Sequence, residues 1–593
     1  MKLSHWLPCL AWGRQYNRSS ATQDGMAALI VTLMLIPQSL AYAMLAGLPP
    51  VMGLYASILP LLAYAVFGSS RTLAVGPVAV VSLMTAAALA PLFPAGSEAY
   101  IGAAMLLALL SGLLLSAMAF LRLGFLANFL SHPVVSGFIS ASGILIAIGQ
   151  LKHLFGISTS GVSLLQIIPQ LWQGLPATHW QTLLIGVFSL AWLWWARKRL
   201  KPALQRLGLS AQTAGNLAKA GPVLAIIVAI VVVSWLQLDQ AGVKVVGAIP
   251  QGLPALALPT LDLELAIQLL PAALLISLVG FVESVSVGQT LAAKRRQRIE
   301  PDNELLGLGT ANLSAAFSGG FPITGGFARS VVNYDAGAQT PMAGVFTAMG
   351  IALSVMLLTP LLHNLPHAVL AATIIVAVLS LVDLGSLRRT WRYSPQDGAA
   401  QLATLLGVLL IGVGAGILIG VGLSLLLFLW RTSQPHMAVV GQVPGSEHFR
   451  NIERFAVVES PSVLSVRVDE SLYFPNARYL EDRISELIAT RPQVRHLVLM
   501  CSGVNLIDAS ALDSLETIVE RLQTAGVQLH LSEVKGPVMD QLRRSTFLES
   551  FGGQVFISQF EALKTLAPQV TQHTLRPVNP PATAQPAAHR KSL

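Results

Sequence analysis

Two stretches of the chain place glycine and proline inside otherwise apolar sequence: Ala74-Val-Gly-Pro-Val-Ala79 and Gly319-Gly-Phe-Pro-Ile-Thr-Gly-Gly-Phe-Ala-Arg329-Ser330. Extended backbone at membrane depth is tolerated only where protein buries it or where it lines a cavity. A half-helix starting at such a break turns unpaired N–H groups and a partial positive charge toward that cavity. Two of them facing each other, one beginning near Pro77 and one near Gly326, make an anion seat with few cationic side chains. The alternative on spacing alone is a pair of proline-kinked helices with glycines for close packing. One interruption is a weak signal, and a matched pair is a stronger one.

A second matched pair flanks the first. Ile36-Pro-Gln-Ser-Leu-Ala-Tyr42 sets Gln38 and Tyr42 one helical turn apart on the same face. Phe281-Val-Glu-Ser-Val-Ser-Val-Gly288 sets Glu283 in a comparable frame. If the two halves of the chain are inverted repeats, Gln38 and Glu283 occupy related positions beside the pocket. An ionisable group inside an apolar span is expensive, so Glu283 must be protonated, paired with a cation or solvated. Arg329 is its natural partner and adds positive field at the anion seat. A structural Glu–Arg pair that only holds helices together is the alternative.

The elements that position these residues are membrane spans. Only 11% of the 593 residues are charged and 54% are hydrophobic, with a mean hydropathy of +0.65. That charged share is about half the usual one for soluble proteins, and a bilayer absorbs such a sequence where a soluble core cannot. Apolar segments resolve into about fourteen spans, several shorter than the ~20 residues of one straight crossing. They begin near Met26, Val51, Pro77, Tyr100, Pro133, Gln181, Gly221, Ile267, Glu304, Gly326, Pro341, Pro366, Gly398 and Gly416. Basic residues at Arg14 and Arg18, Arg71, Arg122, Arg197 to Arg206, Lys294 to Arg298, Arg388 to Arg392 and Arg431 all fall on one side of this count. The positive-inside rule therefore puts both termini in the cytosol, with Lys152 and Lys244 as unclustered exceptions. The net charge of +9 belongs to this orientation rather than to nucleic acid. The segment before Gly25 lacks the apolar core and cleavage site of a signal peptide.

After Arg431 the composition changes. Val463–Val468 and Val494–Met500 read as strands, and Ala477–Thr490 and Ala511–Ala525 as helices, of a soluble α/β domain. The expected organisation is a cytosolic segment 1–24, a transmembrane domain 25–432, a linker 433–455, the soluble domain 456–569, and a disordered Pro/Ala/Thr/Gln-rich tail 570–593. No enzyme is expected. Gly412-Val-Gly-Ala-Gly416 has no strand before it and no Walker motif appears. His132, His153, His363 and His367 lack ligand spacing, and Cys9 and Cys501 make neither a disulfide framework nor a metal site. No cofactor and no metal is implied.

Taken together, Ile36–Ser57, Arg71–Val81, Phe281–Thr290 and Gly320–Thr340 resemble the sulfate permease (SulP) transporters that carry a C-terminal STAS domain, and the resemblance runs from about Asp24 to Leu566. It implies a polytopic helical fold of about 14 spans in a seven-plus-seven inverted repeat like that of uracil permeases. A core of spans 1–4 and 8–11 would move like an elevator against a gate of spans 5–7 and 12–14, in a homodimer. The anion would lie between the half-helix starts, near Pro77, Val78 and Ala79 on one side and Gly326, Phe327 and Ala328 on the other. Gln38 and Tyr42 would approach it from the first span. Glu283 matches the acidic position linked to cation coupling, and Arg329 the basic position of the tenth span. Many relatives carry Ser where this chain has Ala328, so backbone N–H groups or Thr324 would supply the missing donor. The motif Phe321 to Asn333 looks more like proton-linked sulfate carriers than sodium–bicarbonate ones. Val504 to Ser510 resembles the STAS strand-to-helix loop, where a serine matching Ser510 can be phosphorylated beside Asp508; capping of the next helix by either residue is the simpler reading.

The expectation is secondary active uptake of sulfate with protons across the cell (inner) membrane, and a cytosolic protein partner for the STAS domain. Bicarbonate or dicarboxylate uptake with or without sodium, anion exchange, an anion channel or voltage-responsive motor, and a receptor signalling through the soluble domain are the competing readings.

Overall fold

Proline, glycine and charge punctuate the apolar sequence, and each uninterrupted run between them is helical. The computed structural model describes residues 6–574 except 130, 160, 162, 209, 211–213, 216–217, 219–220, 249–251 and 260. The chain divides into two compact units, Met1–Ser424 and Leu425–Leu593.

Up to Thr432 the described residues form fourteen main helical segments: α1 (Arg18–Leu45), α2 (Pro50–Phe67, broken at Ala56–Ile58), α3 (Ala79–Leu89), α4 (Glu98–Phe120), α5 (His132–Phe155), α6 (Trp180–Trp195), α7 (Gly221–Trp235), α8 (Leu263–Lys294), α9 (Pro301–Phe317), α10 (Phe327–Asp335), α11 (Met342–Leu357), α12 (His367–Leu379), α13 (Pro395–Leu410) and α14 (Val413–Thr432). Among the described residues, seven helical segments are long and apolar enough to cross a membrane alone. The half-helices α3 and α10 have only 11 and 9 residues.

These helices sort into two packed groups. In the first, α4 lies against α8 and α9, α2 against α9 and α11, and α1 against α10 and α11. In the second, α5 lies against α12 and α13, and α6 against α7 and α12. Close approach in the first group comes from glycine, since a Cβ on Gly112 of α4 would lie 2.7 Å from the Leu313 amide nitrogen of α9. Large apolar side chains left exposed on α6 and α7, among them Trp180, Phe188, Trp194, Ile227 and Trp235, form a lipid-facing surface.

Two buried carboxylates tie loops to the first group. Asp24 accepts hydrogen bonds from the Gln339 and Thr340 amides (2.6 and 3.1 Å) and the Thr340 hydroxyl (2.6 Å). Glu304 accepts from the Tyr64 hydroxyl (2.7 Å), the Ser69 amide and hydroxyl (2.9 and 2.6 Å) and the Ser70 amide (2.8 Å). A carboxylate so fully hydrogen-bonded can stay buried without a cation.

In the second unit a six-stranded sheet has the order β4-β3-β5-β6-β7-β8, namely Phe449–Asn451, Met437–Gln442, Val463–Val468, His496–Met500, Gln528–Ser532 and Val555–Phe556. The strands from β5 to β8 are parallel and β3 is antiparallel to β5. Both faces are covered, as a largely parallel sheet requires. Leu497 and Leu499 join the cluster under α15 (Ala477–Ala489) and α16 (Ala509–Thr524), while Val498 faces the cluster of Leu563 on α17 (Gln559–Leu566). Residues 433–455, expected as a linker, thus hold two strands of the sheet, because β3 finds its partner in β5. Of the expected disordered tail, a short helix Pro568–Thr574 covers the beginning, and the remainder lies outside the described residues.

Candidate functional site

The two glycine–proline interruptions meet. Val75–Gly76 (β1) pairs antiparallel with Thr324–Gly325 (β2), Val75 opposite Gly325 and Gly76 opposite Thr324. The Gly326 amide donates to the Ala74 carbonyl at 3.0 Å. Helix α3 starts straight after β1, and α10 straight after β2. Neither start has a side-chain cap: the cap residues are Val78 and Gly326. First-turn N–H groups of both half-helices are therefore available to an anion.

Arg329 completes the seat. Its side chain is 2% exposed, and its Nη1 and Nη2 have no hydrogen-bond partner. A Cβ placed on Gly76 would lie 2.8 Å from Nη1, and one on Gly326 would lie 2.9 Å from Nε and 3.0 Å from Nη2. The guanidinium thus occupies the space that two glycines leave open between the half-helix starts. A buried cation with two idle nitrogens is costly unless an acceptor arrives. Those nitrogens offer the forked donor geometry that suits an oxyanion.

The remaining expected residues fall around this centre to different degrees. Pro77, Val78 and Ala79 are buried at the α3 start, and Tyr42 and Ala79 share one apolar cluster. Tyr42 has both Arg329 and Glu283 as electrostatic neighbours. Gln38, one turn before it on α1, has a buried Oε1 with no partner. Phe327 is 44% exposed and packs least. Ala328 lies in the first turn of α10.

Two expectations are corrected. Thr324 does not direct a hydroxyl donor at an anion: its proton goes to the Gly280 carbonyl at 2.6 Å, and Ser284 donates to its oxygen at 2.8 Å. The Gly325 amide in turn donates to Ser284 at 2.9 Å, so this chain of bonds anchors β2 to α8. Nor is Glu283 in direct salt-bridge contact with Arg329 among the described residues, although the two remain electrostatic neighbours. The guanidinium is drawn between the glycines, while Glu283 borders a small apolar crevice with Val134, Val135, Phe138 and Ile139 of α5 and Ile417 of α14.

Sequence reasoning passed over several residues that hold the seat in place. The Ala74 amide donates to the Ser330 hydroxyl at 2.9 Å, which donates to the Gly326 carbonyl at 2.7 Å. Asn333 Nδ2 donates to the Thr72 carbonyl at 3.1 Å. Asn312 grips Ile323 by both its amide and its carbonyl, at 2.9 and 3.0 Å. The available signal was a polar side chain in an apolar span, the same one that singled out Glu283.

In the soluble unit Asp508 is the cap of α16, accepting from the Ala511 amide at 2.9 Å, and it also accepts from the Phe474 amide at 2.9 Å. Ser510 is exposed in the first turn of that helix.

Opposed half-helices joined by a two-strand crossing, within two packed helical groups, define a multi-pass membrane transporter of the inverted-repeat kind. Residues 22–404 match the sulfate permease family and residues 454–562 the STAS domain. The chain is 35% identical to "Probable sulfate transporter 4.2" of Arabidopsis thaliana, over 99% of this chain and 86% of that protein. It is 32% identical to "High affinity sulfate transporter 2" of Stylosanthes hamata, over 96% and 87%. The fold matches a solved structure of SLC26A9 with a TM-score of 0.87 at 21% identity, over 96% of this chain and 94% of that one. The protein belongs to the sulfate permease family, whose members are transporters and not enzymes.

Proposed function

We propose that the protein is a secondary active transporter of a small oxyanion, sulfate being favoured, which binds between the α3 and α10 starts and is taken up with protons. The observation that carries the reading is the buried Arg329 fork, unpartnered between Gly76 and Gly326. Gln38, Tyr42 and the first-turn amides of both half-helices complete the shell. Sulfate is the substrate named for relatives that align over nearly the whole chain.

Glu283 is the coupling residue in this reading. It belongs to α8 of the first helical group and borders α5 of the second, together with Ile417 of α14. An elevator-like step slides the first group, the core, along the second, the gate. Carrying a charged carboxylate over Val134, Val135, Phe138 and Ile139 is expensive, and carrying a neutral acid is far cheaper. Protonation therefore releases the loaded core for movement without any direct Glu283–Arg329 bond. The basic loops face the cytosol, as do both termini, in a homodimer within the cell membrane. The soluble domain offers Ser510 as a modification point beside the Asp508 cap, where a cytosolic partner would read it.

Uptake of labelled sulfate into proteoliposomes tests this. An inward proton gradient is expected to drive accumulation in the wild type, and Glu283→Gln to abolish the gradient's effect while keeping sulfate binding. Full gradient-driven accumulation in Glu283→Gln would sink the coupling role.

A further inference from the structure

On the face that carries the basic loops, a cavity of about 180 Å³ opens between the loop after α2 and the loop after α8. Arg71 and Thr72 line it from the first loop, and Gln297 and Arg298 from the second. Neither arginine has a carboxylate partner among the described residues. Ser69 and Ser70 form its back wall and are held by Glu304, which is already met by four hydrogen bonds. The cavity is thus preformed, polar and cationic, and the carboxylate behind it is saturated.

We propose that this cavity seats a second oxyanion of the sulfate or phosphate class, held by Arg71 and Arg298 with Thr72 and Gln297 as neutral donors. Two arginines lining one small cavity concentrate positive charge there, which an oxyanion bridging them neutralises. A dissolved anion and the phosphate of an anionic lipid share this chemistry, and anionic lipids concentrate at the membrane face that basic loops mark.

The seat communicates with the transport site through a short piece of chain. Gly76 is five steps along the chain from Arg71, at most about 17 Å of extended backbone. Along that path Thr72 is bonded to Asn333 of α10 and Ala74 to Ser330, and the Leu73 side chain lies against Gly325. An anion on Arg71 therefore braces the strand that carries the α3 start.

Equilibrium binding of labelled sulfate to the full chain in phosphatidylcholine nanodiscs, with native mass spectrometry after adding phosphatidylglycerol, separates the sources. Arg298→Gln, at an exposed position, and Arg71→Gln/Arg298→Gln are the variants. A dissolved anion predicts two sulfate sites per chain in the wild type, one of them weakened about tenfold or more in Arg298→Gln. A headgroup predicts one sulfate site and a retained phosphatidylglycerol that both variants lose. The proposal is overturned if neither sulfate binding nor phosphatidylglycerol retention differs between wild type and variants. Arg329→Gln removes the other sulfate component, so a failure of the transport reading shows itself separately.

Discussion

The Arg329 guanidinium rests where a side chain on either Gly76 or Gly326 would meet it. Gly76 has a second constraint, because its φ of +147° is one that residues with a Cβ rarely adopt. Gly76→Ala therefore adds backbone strain of roughly 1–3 kcal/mol and pushes Nη1 out of the seat. Sulfate binding to the purified chain is expected to weaken about tenfold or more, and the melting temperature to fall. Unchanged affinity would show that the guanidinium is not confined by the strand crossing. The glycine–proline breaks made the half-helix starts legible in the sequence, and the polar-in-apolar rule marked Gln38, Glu283 and Arg329. Which neighbour each side chain chooses was not legible. Spacing along a chain places Thr324 at the seat, but it does not say that its hydroxyl turns back to Gly280. It likewise does not say that Glu283 borders the apolar flank of α5 without a direct salt bridge to Arg329.

At the scale of elements, the membrane helices were readable because each begins at a break in hydropathy. Helices α3, α5, α6, α10, α11 and α12 start within a residue or two of their expected positions. In the soluble unit β5 was read with its full bounds, and α15 and α16 nearly so. Strands β3 and β4 escaped, since a three-residue strand carries no alternation and β3 is recognisable only through β5. Adjacent strands β6 and β7 make a pH-dependent contact of their own. His530 Nδ1 accepts from the Gln554 amide at 3.1 Å, so its Nε2–H points at His496 Nδ1, also at 3.1 Å. Burial first, and then His496, push the His530 pKa from 6.5 down to about 4. Between those values the unfolded chain binds more protons than the native one, so stability falls as pH drops through this window. Thermal unfolding of the soluble unit between pH 7 and 5 is expected to show a steeper loss in wild type than in His530→Gln. Equal slopes would contradict the assignment.

For the whole molecule, two helical groups matter more than the count of spans. Helices α1–α4 and α8–α11 hold both half-helices and are pinned by Asp24 and Glu304, whereas α5 and α14 present an apolar flank to Glu283. In the proposed mechanism this division separates the cationic anion seat from the surface along which it moves. The oxyanion's place in that seat is the central claim, and selenate, a heavier analogue of sulfate, makes it directly visible. Crystals of the full chain soaked in selenate should show an anomalous peak within hydrogen-bond reach of Arg329 Nη1 and Nη2, between Gly76 and Gly326, absent from Arg329→Gln. A transport-competent protein with no peak there, or with the same peak in Arg329→Gln, would contradict it.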